Sequence, residues 1–189
     1  SIWGDSDEAS KAPWRTIGLR GRLGNGDGGP EDLLDIMLQG AGECLVDNVE
    51  VLPSGAANRL TNPSFDGGLN GWTIQGNHRL SARDTAGGIG NSACLHVRSP
   101  GRGDTAVNRI WAPLTSALAD NSTATLRARV RWLKGWPEFM LRLRGSYLEA
   151  VGRMAIPANL GTPAARTSRP AGNAGPALVV VTPSPPAPQ

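Results

Sequence analysis

Residues 58–76 read NRLTNPSFDGGLNGWTIQG, and this stretch decides the fold that the sequence predicts. It holds two turn signals, Asn62-Pro63 and Asp66-Gly67-Gly68, because Asn, Asp and Pro favour turns and Gly takes positive φ at little steric cost. The apolar residues stand apart, between and around these turns: Leu60, Phe65, Leu69 and Trp72. Such a spacing has no helical period, so the stretch predicts the start of a β domain.

The composition agrees with a turn-rich β protein. The 189 residues include 25 Gly and 15 Pro, 5% are aromatic, and no long apolar run is present, which disfavours a helical bundle and a membrane span. The length allows one sandwich domain of about 110 to 150 residues with flanking segments, or two small domains. The formal charge is +3 and the arginines are dispersed without a basic block, so nucleic acid is not an expected partner.

Alternating apolar and polar residues predict strands on both sides of this stretch. Upstream, residues 14–23, 33–38 and 43–52 predict three strands that pair with one another. Residues 33–38 also fit a short helix by period, but Gly and Pro on both sides favour a strand. Downstream, residues 123–133 show the clearest alternation, and residues 138–145 are their expected hairpin partner. That pairing would place five arginines on one sheet face: Arg127, Arg129, Arg131, Arg142 and Arg144.

The opening stretch also carries a resemblance to a known family. The order N-x-L-x-N-P-x-F-D-x-G-L-x-G-W resembles the opening of the jelly-roll β-sandwiches of the carbohydrate-binding-module and galactose-binding-like families, at Asn58, Leu60, Asn62, Phe65, Asp66, Gly71 and Trp72. LVDNVEV, at residues 45–51, resembles the strand that closes such a sandwich. The resemblance implies an all-β fold, an antiparallel β-sandwich of the jelly-roll type. It also implies three segments: the C-terminal half of a first jelly-roll unit at 14–53, a linker at 54–57 and a complete jelly-roll module at 58–158.

The two ends of the chain predict segments outside this core. Residues 1–13 are polar and irregular, and residues 159–189 are rich in Pro, Ala and Gly, which predicts an extended linker and the start of a following strand. The order LGTP…SR…AGNAGP in the second segment resembles the junctions of large exported bacterial proteins that join lamin-tail, jelly-roll and immunoglobulin-like modules. This resemblance implies a secreted or cell-surface protein with several domains. Residues 125–154 also repeat the layout of residues 14–51, as tandem units would.

No pattern in the sequence predicts catalysis. His78 and His96 are isolated, and no spacing of acidic residues suggests two carboxylates held across a cleft. The chain is therefore expected not to be an enzyme. Cys44 and Cys94 are expected to be buried free thiols. The Arg102-Gly103-Asp104 tripeptide matches the motif that integrins recognise, and a simple glycine turn is the alternative explanation.

The resemblance leaves room for a structural calcium ion. Asp66 occupies the acidic position that helps to bind calcium in the resembled modules, and Asp47 occupies the corresponding late position of the preceding unit. Carboxylate oxygens suit Ca²⁺, which is a hard cation. No other cofactor is expected.

Outward-facing tryptophans and arginines are the candidate ligand-binding residues. Trp72 and Trp132 share the phase of their apolar neighbours and are expected in the core, whereas Trp111 has the opposite phase to Ile110 and Ala112. An exposed indole stacks on the apolar face of a sugar, and an arginine face suits an acidic glycan or an acidic neighbouring domain. The candidates are Arg109, Trp111, Arg127, Arg129, Arg131, Trp136, Arg142 and Arg144. The sequence thus predicts a non-catalytic module that recognises carbohydrate; the alternative is a structural module that binds neighbouring protein domains and no sugar.

Overall fold

The computed structural model describes residues 12–25, 28–145 and 147–157. These residues form two antiparallel sheets that pack as a sandwich, which confirms the predicted all-β fold. The predictions made for residues 1–11 and 158–189 lie outside the described residues. Within the described ranges, no helix has the length and apolar character needed to cross a bilayer.

Each sheet has five strands. The strands are β1 (Arg15–Arg22), β2 (Glu31–Leu38), β3 (Gly42–Pro53), β4 (Thr73–Ile74), β5 (Ala82–Asp84), β6 (Cys94–Ser99), β7 (Ile110–Leu118), β8 (Thr123–Gly135), β9 (Glu138–Leu143) and β10 (Glu149–Arg153). Sheet A has the order β1-β8-β3-β6-β5, and sheet B has the order β10-β9-β2-β7-β4.

The strands pair in a nested order along the chain. β1 pairs with β8, β2 with β7 and β3 with β6, all antiparallel. The mutual pairing predicted for the strands of residues 14–53 is therefore wrong. β2 lies between β9 and β7 at the centre of sheet B, and β3 lies between β8 and β6 at the centre of sheet A. Residues 14–53 and 58–157 thus build one sandwich together, and the linker expected at 54–57 is a turn within it.

The core lies between the two sheets and is built from alternate residues of each strand. In β8, Leu126 and Val130 are fully buried on the inner face, as the alternation predicted. In β2, Leu34 and Ile36 are their counterparts from sheet B, and they belong to the same apolar cluster. Residues 33–38 therefore form a strand, as the flanking Gly and Pro favoured. Burial on this scale is the main favourable contribution to folding.

The opening stretch is held against β3 by side-chain hydrogen bonds. Asn58 Oδ1 accepts from the backbone N of Val51 at 3.0 Å, and Asn58 Nδ2 donates to the backbone O of Val49 at 2.9 Å. The Asn58 side-chain amide therefore makes the hydrogen bonds that a neighbouring strand would otherwise make with residues 49–51 of β3. Further along, the Phe65 and Trp72 rings lie 5.1 Å apart in the core. This confirms the prediction that Trp72 is a core residue.

The predicted hairpin between residues 123–133 and 138–145 is wrong. β8 belongs to sheet A and β9 to sheet B, so the connection at residues 136–137 passes from one sheet to the other. Both sides of β8 are already paired, one with β1 and the other with β3. A strand has only two hydrogen-bonding edges, which leaves none for β9. The five arginines therefore do not share one face.

Both cysteines are buried free thiols, as the sequence predicted. Burial raises the pKa of Cys44 and raises the pKa of Cys94 to about 12. Both sulfurs therefore remain protonated at neutral pH, in a state that is poorly nucleophilic.

The loop that carries the Arg102-Gly103-Asp104 tripeptide is bound to the sandwich. The Gly103 N donates to the Leu38 O at 2.8 Å, and a Cβ at Gly103 would lie 2.5 Å from the Met37 Cβ. Asp104 Oδ1 accepts from the backbone N of Val107 at 2.8 Å, and these turn hydrogen bonds lower the pKa of Asp104 to about 2. The glycine allows close packing, and the carboxylate caps its own turn. The geometry therefore favours the turn explanation over an integrin motif.

His78 is a buried histidine that the fold requires in its neutral form. Its Nε2 accepts from the backbone N of Leu38 at 3.1 Å, and burial lowers the pKa of His78 from 6.5 to about 4. Between pH 4 and pH 6.5, His78 is therefore protonated in the unfolded chain but not in the folded chain. The free energy of unfolding should therefore fall as the pH drops from 6.5 to 4, by about 3 kcal/mol at the lower end.

Denaturant unfolding of the wild type and of His78→Gln over this pH range measures the effect. The Gln amide oxygen can accept from Leu38 without titrating, so the wild type should lose about 3 kcal/mol relative to the variant between pH 6.5 and 4. Leu80→Gln, at an exposed position without an ionisable group, is the control and should keep the wild-type pH dependence. A difference between wild type and His78→Gln that is constant with pH would refute this assignment.

Candidate functional site

Trp111 lies on the outer face of sheet B. Its neighbours in β7, Ile110 and Ala112, are buried in the core, so the indole is directed away from it, as the sequence predicted. The side chain is only half-buried, unlike that of Trp72. Trp111 is therefore an aromatic side chain at the solvent side of a sheet, in the position that a stacking residue needs.

A row of polar side chains crosses sheet B beside this tryptophan. Asp35 of β2 pairs with Trp111 on one side and with Arg142 of β9 on the other. The row continues to Thr73 of β4, opposite Trp111, and to Glu149 of β10, opposite Arg142. Directly paired residues in a sheet point to the same face. We call this row, together with Arg109 and Gln75, the Trp111 face.

Hydrogen bonds fix the orientation of the side chains at the centre of the Trp111 face. Arg109 Nη1 donates to Asp35 Oδ1 at 2.9 Å, and the guanidinium carbon lies 5.8 Å from the centre of the Trp111 ring. Trp111 Nε1 donates to Gln75 Oε1 at 2.5 Å. Arg109 Nε is buried and has no hydrogen-bond partner among the described residues. The indole is thus held in one orientation next to an unused buried donor.

Asp35 is the one carboxylate buried within this face. It is 2% exposed, and burial raises the pKa of Asp35 from 3.8 to about 6, an effect that the nearby Arg109 only partly offsets. Asp35 therefore acquires its charge close to neutral pH. Because the side chain is buried, Asp35 acts through Arg109, whose guanidinium it holds beside the Trp111 ring.

Arg142 and Tyr147 extend the face towards the edge of sheet B. The Arg142 guanidinium carbon lies 4.7 Å from the centre of the Tyr147 ring, which is a cation–π contact. Arg142 Nε is also 3.3 Å from Glu149 Oε1. Tyr147 is 58% exposed, so a second aromatic ring is accessible beside the row.

The arginines that the sequence grouped together are divided between the two sheets. On sheet A, Arg127 is hydrogen-bonded to Glu50, Arg129 lies opposite Asp47, and Arg131 lies opposite Leu45. On sheet B, Arg144 Nη2 is 2.6 Å from Asp32 Oδ1. The expected grouping of the five arginines is therefore wrong, because β8 and β9 belong to different sheets.

Trp136 is exposed, as the sequence predicted for the end of β8. It is 49% exposed and follows Gly135, where the chain leaves sheet A. The Arg153 guanidinium carbon lies 5.9 Å from its ring centre. Trp132 is partly buried against the core, as expected, and its Nε1 donates to the Gly135 O at 3.0 Å. Trp136 belongs to this connection between the sheets and not to the row of the Trp111 face.

Asp47 and Asp66, the candidate calcium ligands, have different local roles. Asp47 is buried and accepts from the backbone N of Ile89 at 3.0 Å and from its neighbour Asn48 at 2.7 Å. Asp66 is exposed, and its Oδ2 accepts from the Ser64 hydroxyl at 2.7 Å.

The backbone carbonyls near Asp66 already have a cationic partner. Arg83 Nε donates to the Phe65 O at 2.6 Å, and Arg83 Nη2 donates to the Asp66 O at 3.0 Å. The guanidinium thus takes acceptors of the kind that calcium uses. In the described part of the chain, no group of three or more His, Cys, Asp or Glu side chains is placed to hold a metal ion. The calcium hypothesis gains no support from this geometry.

Several residues on or beside the Trp111 face were not singled out by the sequence pattern: Asp35, Thr73, Gln75, Tyr147 and Glu149. Asp35 carried a usable signal, because it is a charged residue inside the apolar run LLDIML. Thr73 and Gln75 belong to a short edge segment whose partner, β7, becomes known only from the folded topology.

Comparisons of the chain with protein-family models, with curated proteins and with solved structures found no match. The function is therefore inferred from the geometry of the site itself.

Proposed function

We propose that this chain is a non-catalytic β-sandwich module that recognises carbohydrate through the Trp111 face. The observation that carries the proposal is the outward indole of Trp111, held by Gln75 and placed directly opposite the buried carboxylate of Asp35. An aromatic ring beside a few oriented polar groups is the combination that sugar binding requires.

The two kinds of group would act on different parts of a sugar. The indole covers the apolar C–H face of a pyranose, while the exposed Thr73 accepts from or donates to its hydroxyl groups. The Arg109 guanidinium, which Asp35 holds beside the indole, adds a positively charged donor group to the site. Because the hydrogen bonds of Arg109 and Trp111 already fix the site, little ordering entropy opposes binding.

The strand order supports the same proposal. The nested pairing of β1 with β8, β2 with β7 and β3 with β6 is the order expected of a jelly roll, the architecture that the sequence resemblance implied. With that resemblance goes a proposed place in a secreted or surface-attached protein of several domains.

A structural module that binds a neighbouring protein domain is the second candidate. The observation in its favour is β10, which is an edge strand of sheet B. Its Val151 is 49% exposed, and an exposed edge with apolar side chains can accept a partner. Such a function would leave the Trp111 face without a sugar ligand.

Trp111→Ala tests the proposed function. We expect the wild type to bind one or more glycans on an array, and the variant to bind them at least tenfold more weakly, since tryptophans that anchor an interface contribute about 2 kcal/mol or more. The affinity for each glycan found on the array is then measured by calorimetry.

Trp136→Ala is the matched control, because it removes another outward tryptophan that lies outside the row. It should bind as the wild type does. The structural module would be favoured if the wild type binds no glycan on the array and substitutions in β10 disrupt association with a neighbouring domain. Thermal melting of each variant shows whether a loss of binding is caused by a loss of folding.

A further inference from the structure

A bulge in β3 opens a cavity on sheet A, away from the Trp111 face. The register between β3 and β8 shifts between Asp47 and Glu50, and Asn48 there has a left-handed φ of 49°. The Val49 N donates to the Pro63 O at 3.0 Å instead of to β8. The strands separate at this point, as they do at bulges generally.

The cavity has a volume of about 430 Å³, which lies within the range of small-molecule sites. Val49, Pro63 and Ala128 give it apolar walls, and Thr16 and Asn48 place polar groups at its rim. The hydrogen bonds of Asn58 to Val49 and Val51 hold this geometry before any ligand arrives. The cavity is therefore built into the fold.

Two arginines line the cavity: Arg127 is ion-paired, and Arg129 is not. Arg127 Nη2 donates to Glu50 Oε1 at 3.3 Å, and its Nε also contacts the Glu50 carboxylate. Glu50 lines the same cavity, so this pair contributes no net charge. Arg129 makes no ion pair with any described residue, and its Nε is buried without a hydrogen-bond partner in the described ranges.

Asp47 lies opposite Arg129 in the sheet but is engaged elsewhere. Its Oδ1 accepts from the Asn48 N at 2.7 Å, and its Oδ2 accepts from the Ile89 N at 3.0 Å and faces the Ser92 hydroxyl at 3.3 Å. Of the two lining guanidiniums, Arg129 is thus the one without a carboxylate partner among the described residues. A buried donor without a partner is costly, more so on a charged group.

We propose that this cavity binds the carboxylate of a small organic acid through Arg129. A guanidinium presents two parallel N–H donors that match a carboxylate, and the excess positive charge of the lining favours an anion. The apolar walls accommodate a body about the size of a monosaccharide or an amino acid, and Thr16 and Asn48 can contact its polar substituents. The site is independent of the sugar-binding function proposed for sheet B.

The acid could be a sugar acid or an amino-acid derivative, and titrating the full chain with one of each distinguishes the two. Binding is detected from the NMR resonances of the backbone amides and the arginine Nε groups. The probes are galacturonate and N-acetylalanine, with galactose as the neutral comparison. We expect at least one of the two acids to shift the resonances of Arg129, Asn48 and Thr16, and to bind more weakly at high salt. The acid that binds more tightly identifies the source.

Arg129→Gln should weaken that binding by about tenfold or more, and Arg129→Lys should also weaken it, because lysine keeps the charge but lacks the two-donor fork. Arg131→Gln is the matched control. It removes an arginine of the same strand and face that does not line the cavity, and it should bind as the wild type does. The proposal is wrong if neither acid shifts these resonances at about 10 mM, a concentration at which even very weak binding is detected. It is also wrong if Arg131→Gln loses as much binding as Arg129→Gln.

Discussion

A fragment of residues 54–157 should not fold when it is expressed without residues 12–53. β2 is the central strand of sheet B and β3 the central strand of sheet A, so their removal leaves β9 apart from β7, and β8 apart from β6. It also exposes both sides of the core at Leu126 and Ile110, which are fully buried in the intact chain. Loss of this much burial exceeds the marginal stability of a domain of this size.

Circular dichroism and thermal melting of the fragments test this expectation. Residues 12–53 and 54–157 should each lack a cooperative transition, and mixing the two should restore the β spectrum and a cooperative melt. The intact chain is the control. A cooperative transition of fragment 54–157 alone would instead restore the independent module at residues 58–158 that the sequence predicted.

Phe65→Ala should be among the most destabilising single substitutions, at about 3 to 5 kcal/mol. Phe65 is fully buried, and its ring packs against Trp72 at 5.1 Å. Its φ of 60° remains unfavourable for alanine, so the change removes packing without relieving backbone strain. Its carbonyl oxygen, which accepts from Arg83, is unaffected by the substitution.

Urea unfolding of Phe65→Ala and of the control Leu80→Ala gives this difference. Leu80 is 63% exposed, so its truncation should change the unfolding free energy by less than about 0.5 kcal/mol. Equal effects of the two substitutions would show that Phe65 does not anchor the core.

Local patterns in the sequence predicted most of the strands correctly. Alternation at residues 123–133 and the apolar run at residues 33–38 correspond to β8 and β2, because burial of one face imposes a period of two. The predicted orientations of Trp72 and Trp111 follow from the same rule and hold in the structure. Short edge strands such as β4 have too few residues for a period, and the sequence pattern did not predict them.

Strand order was the part that local patterns left undetermined. Residues 123–133 and 138–145 are adjacent in the chain, and a hairpin was the simplest expectation for them, but β8 finds its partners in β1 and β3. Such pairings join residues about a hundred positions apart, and nothing in the local period records them. The grouping of five arginines depended on that hairpin and was wrong for the same reason.

The candidate site was predicted only in part, for related reasons. Trp111 and Arg109 were identified because their phase opposes the core, whereas Asp35 and Gln75 join them only through the pairing of β2, β7 and β4. Asp35 shows why burial alone is an incomplete guide, because it is a charged residue that is buried on the outer face of a sheet. Its partners, and not its neighbours in sequence, account for its position.

The indole N–H resonances of the six tryptophans provide the most direct test of sugar recognition by the Trp111 face. Each tryptophan gives one such resonance, and single Trp→Phe variants assign them. During titration with a glycan identified on the array, the Trp111 resonance should shift and saturate, because its Nε1 bonds to Gln75 within the site. The resonances of Trp72 in the core and Trp136 at the sheet connection should stay in place. Saturable shifts at Trp136 with none at Trp111, or no shift at any tryptophan, would contradict the account.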